Sequence, residues 1–244
     1  MEAKVEKDHL NSFINEKCKL HFSGTRGWLF EEVEKWTKME SGSSNLFWLT
    51  GDAGTGKTVV SAKLVQDRDI DVDVLAWWFF RHNDESTHDP FHVLKAISTM
   101  LEENLDGFNV DSSSDFDLDK ARSENNLEGT FTALLEEPLD CVPAQPERKV
   151  IVFDALDELP QKFLTGFLNL LTKHLSHLPH WVGFFVTSRR ENRIVKALEK
   201  QVCQCCYFDC SSCGKLSPNL TYPLFSSSSN LKNCWWMRNA TRTT

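Results

Sequence analysis

The segment LTGDAGTGKTVV contains residues whose types and spacing suit the binding of a phosphate chain. Gly51, Gly56, Lys57 and Thr58 match the pattern glycine, any four residues, glycine, lysine, and serine or threonine. Glycines let backbone N–H groups turn toward phosphate oxygens, and the start of a following helix adds a positive dipole. The predicted phosphate-binding residues are Gly51, Asp52, Ala53, Gly54, Thr55, Gly56, Lys57 and Thr58.

Two of these side chains have separate predicted roles. The Lys57 ammonium would contact the β and γ phosphates of a nucleotide, and the Thr58 hydroxyl would bind the Mg²⁺ that bridges them. The alternative is a glycine turn that joins a strand to a helix and binds nothing. Because such a loop contacts only phosphates, it does not distinguish ATP from GTP.

A second motif, KVIVFDALDEL, consists of an apolar run followed by acidic residues. Asp154 follows the run directly, and an aspartate at the carboxyl end of a parallel strand is placed to bind Mg²⁺. Glu158, with Asp157 as the second choice, is the predicted base that orients or deprotonates the water attacking the γ phosphate. The alternative is that Asp157 and Glu158 cap the next helix, and the two roles are compatible.

A third motif, VTSRR, ends another apolar run. Arg189 lies at the same predicted sheet edge, where a guanidinium can contact the γ phosphate. The alternative is that Arg189 and Arg190 face solvent or complement the acidic surface.

The elements that must position these motifs can be predicted from apolar patterning. Four runs without polar alternation, which is typical of parallel strands covered on both faces, lie at 45–50, 73–80, 149–154 and 183–188. Helices are predicted at 90–105, where Asp89 is a cap, at 159–178, and before the first strand. The acidic segment 102–128 is predicted to be an exposed loop. The predicted fold class is α/β, with a parallel, doubly wound sheet and flanking helices.

Charge and composition exclude several classes of partner. The net charge is -8 and no basic stripe appears, so we expect no nucleic-acid partner. The charged start MEAKVEKDHL is unlike a signal peptide, and the apolar runs are too short to span a bilayer. We therefore expect a cytoplasmic protein without a membrane partner.

The composition changes at Gln201 and suggests a division into three parts. Residues 1–17 are predicted to be an N-terminal segment, and 18–200 a nucleotide-binding domain. Residues 201–244 are rich in Cys and Ser and contain one acidic residue, Asp209. This part is predicted to be an unstructured or aberrant tail, or translated non-coding sequence. A last strand of the sheet, if present, must come from its VCQCCYF segment, 202–208.

Taken in order, GDAGTGKT, VIVFDALDEL and VTSRR resemble the NACHT branch of the STAND signalling NTPases, all of which are P-loop NTPases. The feature that favours the NACHT branch is the small residue Ala155, which follows Asp154 directly and precedes the pair Asp157 and Glu158. The segments FSGTRGWLFEEVEKW and WWFFRHNDESTHDPFHVLKAIS resemble the nephrocystin-type NTPase region. The resemblance covers roughly residues 18–200.

The resemblance implies an ATP- or GTP-dependent switch that uses Mg²⁺, hydrolyses nucleotide slowly and acts in signal transduction. It also implies protein partners and nucleotide-dependent self-association, which depend on helical and winged-helix segments that are not recognisable after Lys200. The alternative function is a non-catalytic nucleotide-binding scaffold or decoy fragment. A small-molecule kinase is less consistent with the acidic pair, which suits activation of water.

Overall fold

The computed structural model describes residues 2–20, 26–38, 44–110, 116–202 and 207–209. In the described chain, five parallel strands form one sheet in the order β2-β3-β4-β1-β5. The strands are β1 (Leu46–Thr50), β2 (Val74–Phe79), β3 (Lys149–Asp154), β4 (Val182–Ser188) and β5 (Tyr207–Asp209). The fold is thus that of an α/β P-loop NTPase with a parallel, doubly wound sheet.

Helices connect the strands and cover the sheet. They are α1 (Glu2–Lys19), α2 (Gly27–Thr37), α3 (Lys57–Gln66), α4 (Pro90–Asn104), α5 (Leu118–Ser123), α6 (Leu127–Phe131), α7 (Glu137–Asp140), α8 (Gln161–His174) and α9 (Asn192–Leu198). A π-helical turn, Thr132–Glu136, joins α6 to α7. Single 3₁₀ turns lie at Glu85–Thr87 and Leu156–Glu158. Among the described helices, none is both long and apolar enough to cross a bilayer.

The strand interiors are apolar without alternation because both faces of the sheet are buried, and the polar residues lie at the strand ends. In β1, Leu46 and Trp48 belong to the core that α4, α8 and α9 cover, whereas Phe47 and Leu49 belong to the core beneath α2 and α3. β3 alternates in the same way between the two cores. The four predicted strands are confirmed to within one residue at each end.

The strand order brings the three motifs to one edge of the sheet. β4 pairs with β1 on one side and with β3 on the other. The carboxyl ends of parallel strands lie at the same edge, so the segment after β4 lies between the loop after β1 and the end of β3. β5 pairs with β1 and comes from the region where the last strand was expected. Residues 203–206 and 210–244 of the predicted tail lie outside the described residues.

Two predictions about helices are corrected. The helix predicted at 159–178 is shorter at both ends. Leu159 precedes a proline and is extended, so that Pro160 is the N-cap and α8 begins at Gln161, and α8 ends at His174. The loop predicted at 102–128 is wrong for the residues of α5, and both of its ends are helical, in α4 up to Asn104 and in α6 from Leu127. The Asp117 carboxylate caps α5 by accepting from two backbone N–H groups, and Ala121 is buried. Asp89 caps α4 as predicted, by accepting from Phe91.

The first helix lies against the domain. α1 packs on α3, and the ring of Phe13 contacts the ring of Phe79 edge-on, with centroids 5.8 Å apart. Leu10 and Ile14 are buried in the larger core. The helix also crosses the boundary proposed between residues 17 and 18. The three-part division of the chain remains a prediction.

Candidate functional site

The loop between β1 and α3 has the backbone shape that its glycines favour. Gly54 and Gly56 have φ values of 76° and 79°, in the region that residues with a Cβ rarely adopt. The hydroxyl of Thr55 donates to the Asp52 carbonyl at 2.9 Å and closes the turn. All predicted phosphate-binding residues lie in this loop or in the first turn of α3, namely Gly51, Asp52, Ala53, Gly54, Thr55, Gly56, Lys57 and Thr58.

The Lys57 side chain folds back into the loop. Its ammonium donates to the carbonyls of Gly51 at 2.6 Å and Asp52 at 2.9 Å, and the residue is only 9% exposed. The charge is therefore held within the loop next to the start of α3, whose first N–H groups have no partner inside the helix. This combination of a cation and helix N–H groups suits an anion.

Asp154, the last residue of β3, is the most deeply buried acid of the site. It is 1% exposed, and its Oδ1 accepts hydrogen bonds from Ser61 at 2.6 Å and from Thr187 at 2.7 Å. Burial raises the pKa of the Asp154 carboxyl, and hydrogen bonds from Ser61, Thr187 and Thr58 partly offset that effect. The charge of Glu158 also raises the pKa of Asp154.

Thr58 and Asp154 are the two predicted Mg²⁺ ligands, and they lie together. Thr58 is in the first turn of α3, and its hydroxyl is close enough to the Asp154 carboxylate to lower the pKa of that group. A hydroxyl and a carboxylate are oxygen ligands of the kind that Mg²⁺ uses in small numbers with water and phosphate. A nearby cation favours the ionised form of a carboxylate whose burial disfavours it, so these residues fit the ion.

The acidic pair that follows is held by hydrogen bonds. Oε2 of Glu158 accepts from the backbone N–H of His82, just after β2, at 2.7 Å. Asp157 accepts from the backbone N–H of Arg189 at 2.8 Å, and its other oxygen lies 3.2 Å from Nε of that arginine. The predicted candidates Asp157 and Arg189 are thus in direct contact. The Arg189 side chain is 54% exposed and that of Asp157 only 5%.

Comparison with known proteins assigns this region to a family. The family model described as Nephrocystin 3, N-terminal, matches residues 24–189. The match is more than half of the 244 residues and contains the glycine loop, Asp154 and Arg189. The chain belongs to this family. The expected resemblance to the nephrocystin-type region is thereby confirmed, and the region matched by the nephrocystin 3 N-terminal model includes all of β1, β2, β3 and β4.

Solved structures show distant likeness to this nephrocystin 3 N-terminal family member. One is Cdc6p from Pyrobaculum aerophilum, with 14% identity and a TM-score of 0.41, covering 76% of this chain and 45% of that one. Another is Drosophila ORC bound to GC-rich DNA and Cdc6, with 12% identity and a TM-score of 0.36, covering 85% of this chain and 31% of that one. The chain thus spans less than half the length of either. No curated protein matches its sequence.

Arg26 is a site residue that sequence reasoning missed. It lies directly before α2, and its guanidinium donates to the carbonyl of Gly56 at 2.8 Å and to that of Thr55. A Cβ on Gly56 would lie 2.5 Å from Nη1 of Arg26, so a side chain there would displace the guanidinium, and the φ of 79° independently favours glycine. These partners are about 30 positions apart in the nephrocystin 3 N-terminal region, so no local spacing points to the contact.

Two hydroxyl residues bond to Asp154: Ser61, which sequence reasoning missed, and Thr187, whose position at the sheet edge the VTSRR motif predicts but whose partner it does not. Thr187 accepts from the backbone N–H of Ala155 at 2.9 Å while it donates to Asp154, and Ser61 donates from α3. Ala155 has a φ of 56°, which is uncommon for a residue with a Cβ and turns the chain sharply after β3. In this nephrocystin 3 N-terminal family member, the VTSRR motif therefore contributes Thr187 as well as Arg189.

Proposed function

We propose that this chain is a nucleotide-binding module that binds Mg-ATP and hydrolyses it slowly, as part of a STAND-type signalling protein. The observation that carries the proposal is the buried carboxylate of Asp154 beside Thr58, at the sheet edge where the glycine loop follows β1. A buried acid with hydroxyl partners next to a cationic loop suits a cation and phosphates bound together. GTP in place of ATP remains an alternative.

The proposed binding roles follow from the positions of the side chains. Lys57 exchanges its two loop carbonyls for phosphate oxygens, which are stronger partners for an ammonium because they are charged. Loop and helix N–H groups bind the remaining oxygens. Thr58 and Asp154 hold Mg²⁺, which when bound neutralises charge on the phosphates and orients them.

The proposed catalytic roles belong to the acidic pair and Arg189. Glu158 is the better candidate for the base. Its charge raises the pKa of Asp154, so the two carboxylates are close, and the backbone N–H of His82 holds the Glu158 carboxylate at the sheet edge. Asp157 forms a hydrogen bond and an ion pair with Arg189, and these contacts position the guanidinium near the γ phosphate. Hydrolysis in this arrangement depends mainly on positioning and on charge stabilisation.

The contacts of the acidic pair also favour a second candidate function. Glu158 and Asp157 both accept hydrogen bonds from the protein, which leaves fewer lone pairs for a water molecule. A module held in this way would bind nucleotide without turnover, as a scaffold or decoy. Both candidate functions share the binding site and differ only in the release of phosphate.

Nucleotide binding is tested with Lys57→Ala and, as the matched control, Lys63→Ala from the same helix. Lys63 forms an ion pair with Asp67 away from the loop. A fluorescent ATP analogue is titrated with and without Mg²⁺. Loss of a hydrogen bond to a charged group costs about 1.5–3 kcal/mol, so Lys57→Ala should weaken binding by about 10- to 100-fold. Equal affinity of both variants, with intact circular dichroism, would refute the proposed site.

Hydrolysis is tested by phosphate release from the parent, Glu158→Gln and Asp157→Asn. Loss of a general base lowers the rate by about 100-fold or more, so Glu158→Gln should lose turnover and keep its ATP affinity. If Asp157→Asn has the larger effect, the roles are exchanged. A parent that binds ATP and releases no phosphate supports the scaffold.

The switch and its partners are part of the same proposal. Residues 18–200 form the nucleotide domain, protein partners respond to its nucleotide state, and self-association depends on that state and on regions beyond the domain. The test is light scattering of the chain with ATP analogue and with ADP. A mass that changes with the nucleotide supports self-association through this domain. An unchanged mass indicates that self-association depends on other regions.

A further inference from the structure

A cluster of two histidines and a glutamate lies away from the phosphate loop. Nδ1 of His174 is 2.8 Å from Oε2 of Glu136, and Nδ1 of His177 is 3.3 Å from Oε1 of the same carboxylate. All three candidate ligand atoms lie within 4.8 Å of one another. Glu136 belongs to the π-helical turn between α6 and α7, whereas the histidines lie at the end of α8 and just beyond it.

The cluster is remote from the nucleotide site because α8 runs back across the sheet. The helix begins next to the acidic pair at the carboxyl ends of the strands and leads toward the amino end of β4. Its 14 residues span about 20 Å at 1.5 Å per residue. None of the proposed nucleotide contacts involves these three residues.

We propose that Glu136, His174 and His177 bind a single Zn²⁺ ion. Two imidazole nitrogens and one carboxylate oxygen are the donor set that this metal prefers, and hard cations such as Mg²⁺ prefer oxygen alone. With Zn–N and Zn–O bonds of about 2.0–2.2 Å, tetrahedral ligand atoms lie about 3.4 Å apart. The two nitrogen–oxygen separations, 2.8 and 3.3 Å, differ from this value by less than 1 Å, and the remaining pair of ligand atoms, the two histidine nitrogens, lies within 4.8 Å and must approach to reach it.

The surroundings of the cluster orient its donors. The Thr132 hydroxyl donates to Oε2 of Glu136 at 3.0 Å, and such a hydrogen bond to a ligating carboxylate is typical of metal sites. The Phe131 ring packs on the His174 imidazole with centroids 5.0 Å apart and restricts its rotation. Glu136 ends a π-helical turn, and such turns occur often at functional positions.

Exposure of the three side chains leaves one coordination position for water. His174 and Glu136 are 7% and 16% exposed, whereas His177 is 54% exposed and opens the cluster to solvent. The ion takes the place of the Nδ1 proton of His174, whose imidazole then carries its proton on Nε2. That nitrogen is buried without a partner among the described residues, and the cost of leaving its N–H unpaired weakens metal binding.

The alternative is a metal-free hydrogen bond from His174 to Glu136, and Zn²⁺ titration separates the two. The chain is stripped with a chelator, dialysed and titrated with Zn²⁺ against a chromogenic chelator, without nucleotide. Loss of one ligand weakens a site of this kind by about 10-fold or more. His177→Ala and Glu136→Gln should each lower the affinity for Zn²⁺ by that factor. The matched control is His180→Ala, an exposed histidine outside the cluster.

Cobalt distinguishes this site from the cysteines of the chain. Co²⁺ bound to histidine and carboxylate gives a visible d–d band without the ultraviolet charge-transfer band of a thiolate ligand. One equivalent with such a spectrum, lost in His177→Ala and kept in His180→Ala, supports the proposal. Absence of stoichiometric binding would overturn it, as would a thiolate spectrum with equal affinity in both variants. Circular dichroism of His177→Ala checks that the variant is folded.

Discussion

Replacing Thr187 by valine removes one hydroxyl from the network around Asp154 and keeps nearly the same side-chain volume. That hydroxyl donates to Oδ1 of Asp154 at 2.7 Å and accepts from the N–H of Ala155 at 2.9 Å. Thr187 is 0% exposed, so water does not readily replace either bond. The variant therefore leaves a carboxylate with one donor fewer and a buried N–H without its acceptor.

The expected cost follows from these two losses. A hydrogen bond to a charged group contributes about 1.5–3 kcal/mol, and a buried donor left unpaired costs about 1–3 kcal/mol. Because both losses occur in one network, they are not fully additive, and we expect the free energy of unfolding to fall by about 3 kcal/mol. The measurement is urea denaturation followed by circular dichroism.

Thr50→Val is the matched control for Thr187→Val. Thr50 ends the neighbouring strand β1, is also 0% exposed, and its hydroxyl has no hydrogen-bond partner in the described chain. The same substitution there should leave stability unchanged or raise it slightly. If both variants lose equal stability, or if Thr187→Val costs less than about 1 kcal/mol, the role assigned to the network is wrong.

Three further predictions concern residues of the same site. Burial raises the pKa of Asp154, so folding is favoured by its protonated form and this contribution is lost as pH rises through the raised pKa. Asp154→Asn should therefore stabilise the protein in urea denaturation at about pH 8, with a smaller gain at about pH 4. Ala155→Gly should raise the free energy of unfolding by about 1 kcal/mol, because φ is positive there. Arg26→Gln should weaken ATP-analogue binding by about 10-fold, because two loop carbonyls lose a charged donor, whereas the exposed Arg68→Gln should not.

Local patterns were sufficient to predict most of the sheet and the phosphate loop. A strand buried on both faces has a continuous apolar run without polar alternation, and LFWL in β1 and VIVF in β3 show this directly. The Asp89 cap is equally local, because the carboxylate and its N–H partner are two residues apart. The α5 helix was not predicted because it is short and buries few apolar residues. Its main sequence signal is the Asp117 cap.

Contacts between distant elements could not be predicted in the same way. Arg26 reaches the loop across about 30 positions, and Thr187 reaches Asp154 across 33. The pairing of Asp157 with Arg189 depends on how β3 and β4 lie side by side, which neither motif specifies. The role of each motif could therefore be predicted from its own sequence, but the contacts between the motifs depend on the three-dimensional structure.

The position of β1 in the sheet has a consequence for how the chain folds during its synthesis. β1 is the first strand to leave the ribosome, yet its partners in the described sheet are β4 and β5, the last two. At usual rates of translation, β4 follows on the order of ten seconds later. Until then both edges of a strand with four consecutive apolar residues lack their native neighbours, which exposes it to wrong pairing. Chaperone demand should thus be greatest before β4 emerges, and a ribosome stalled there would hold a phosphate loop without the sheet that supports it.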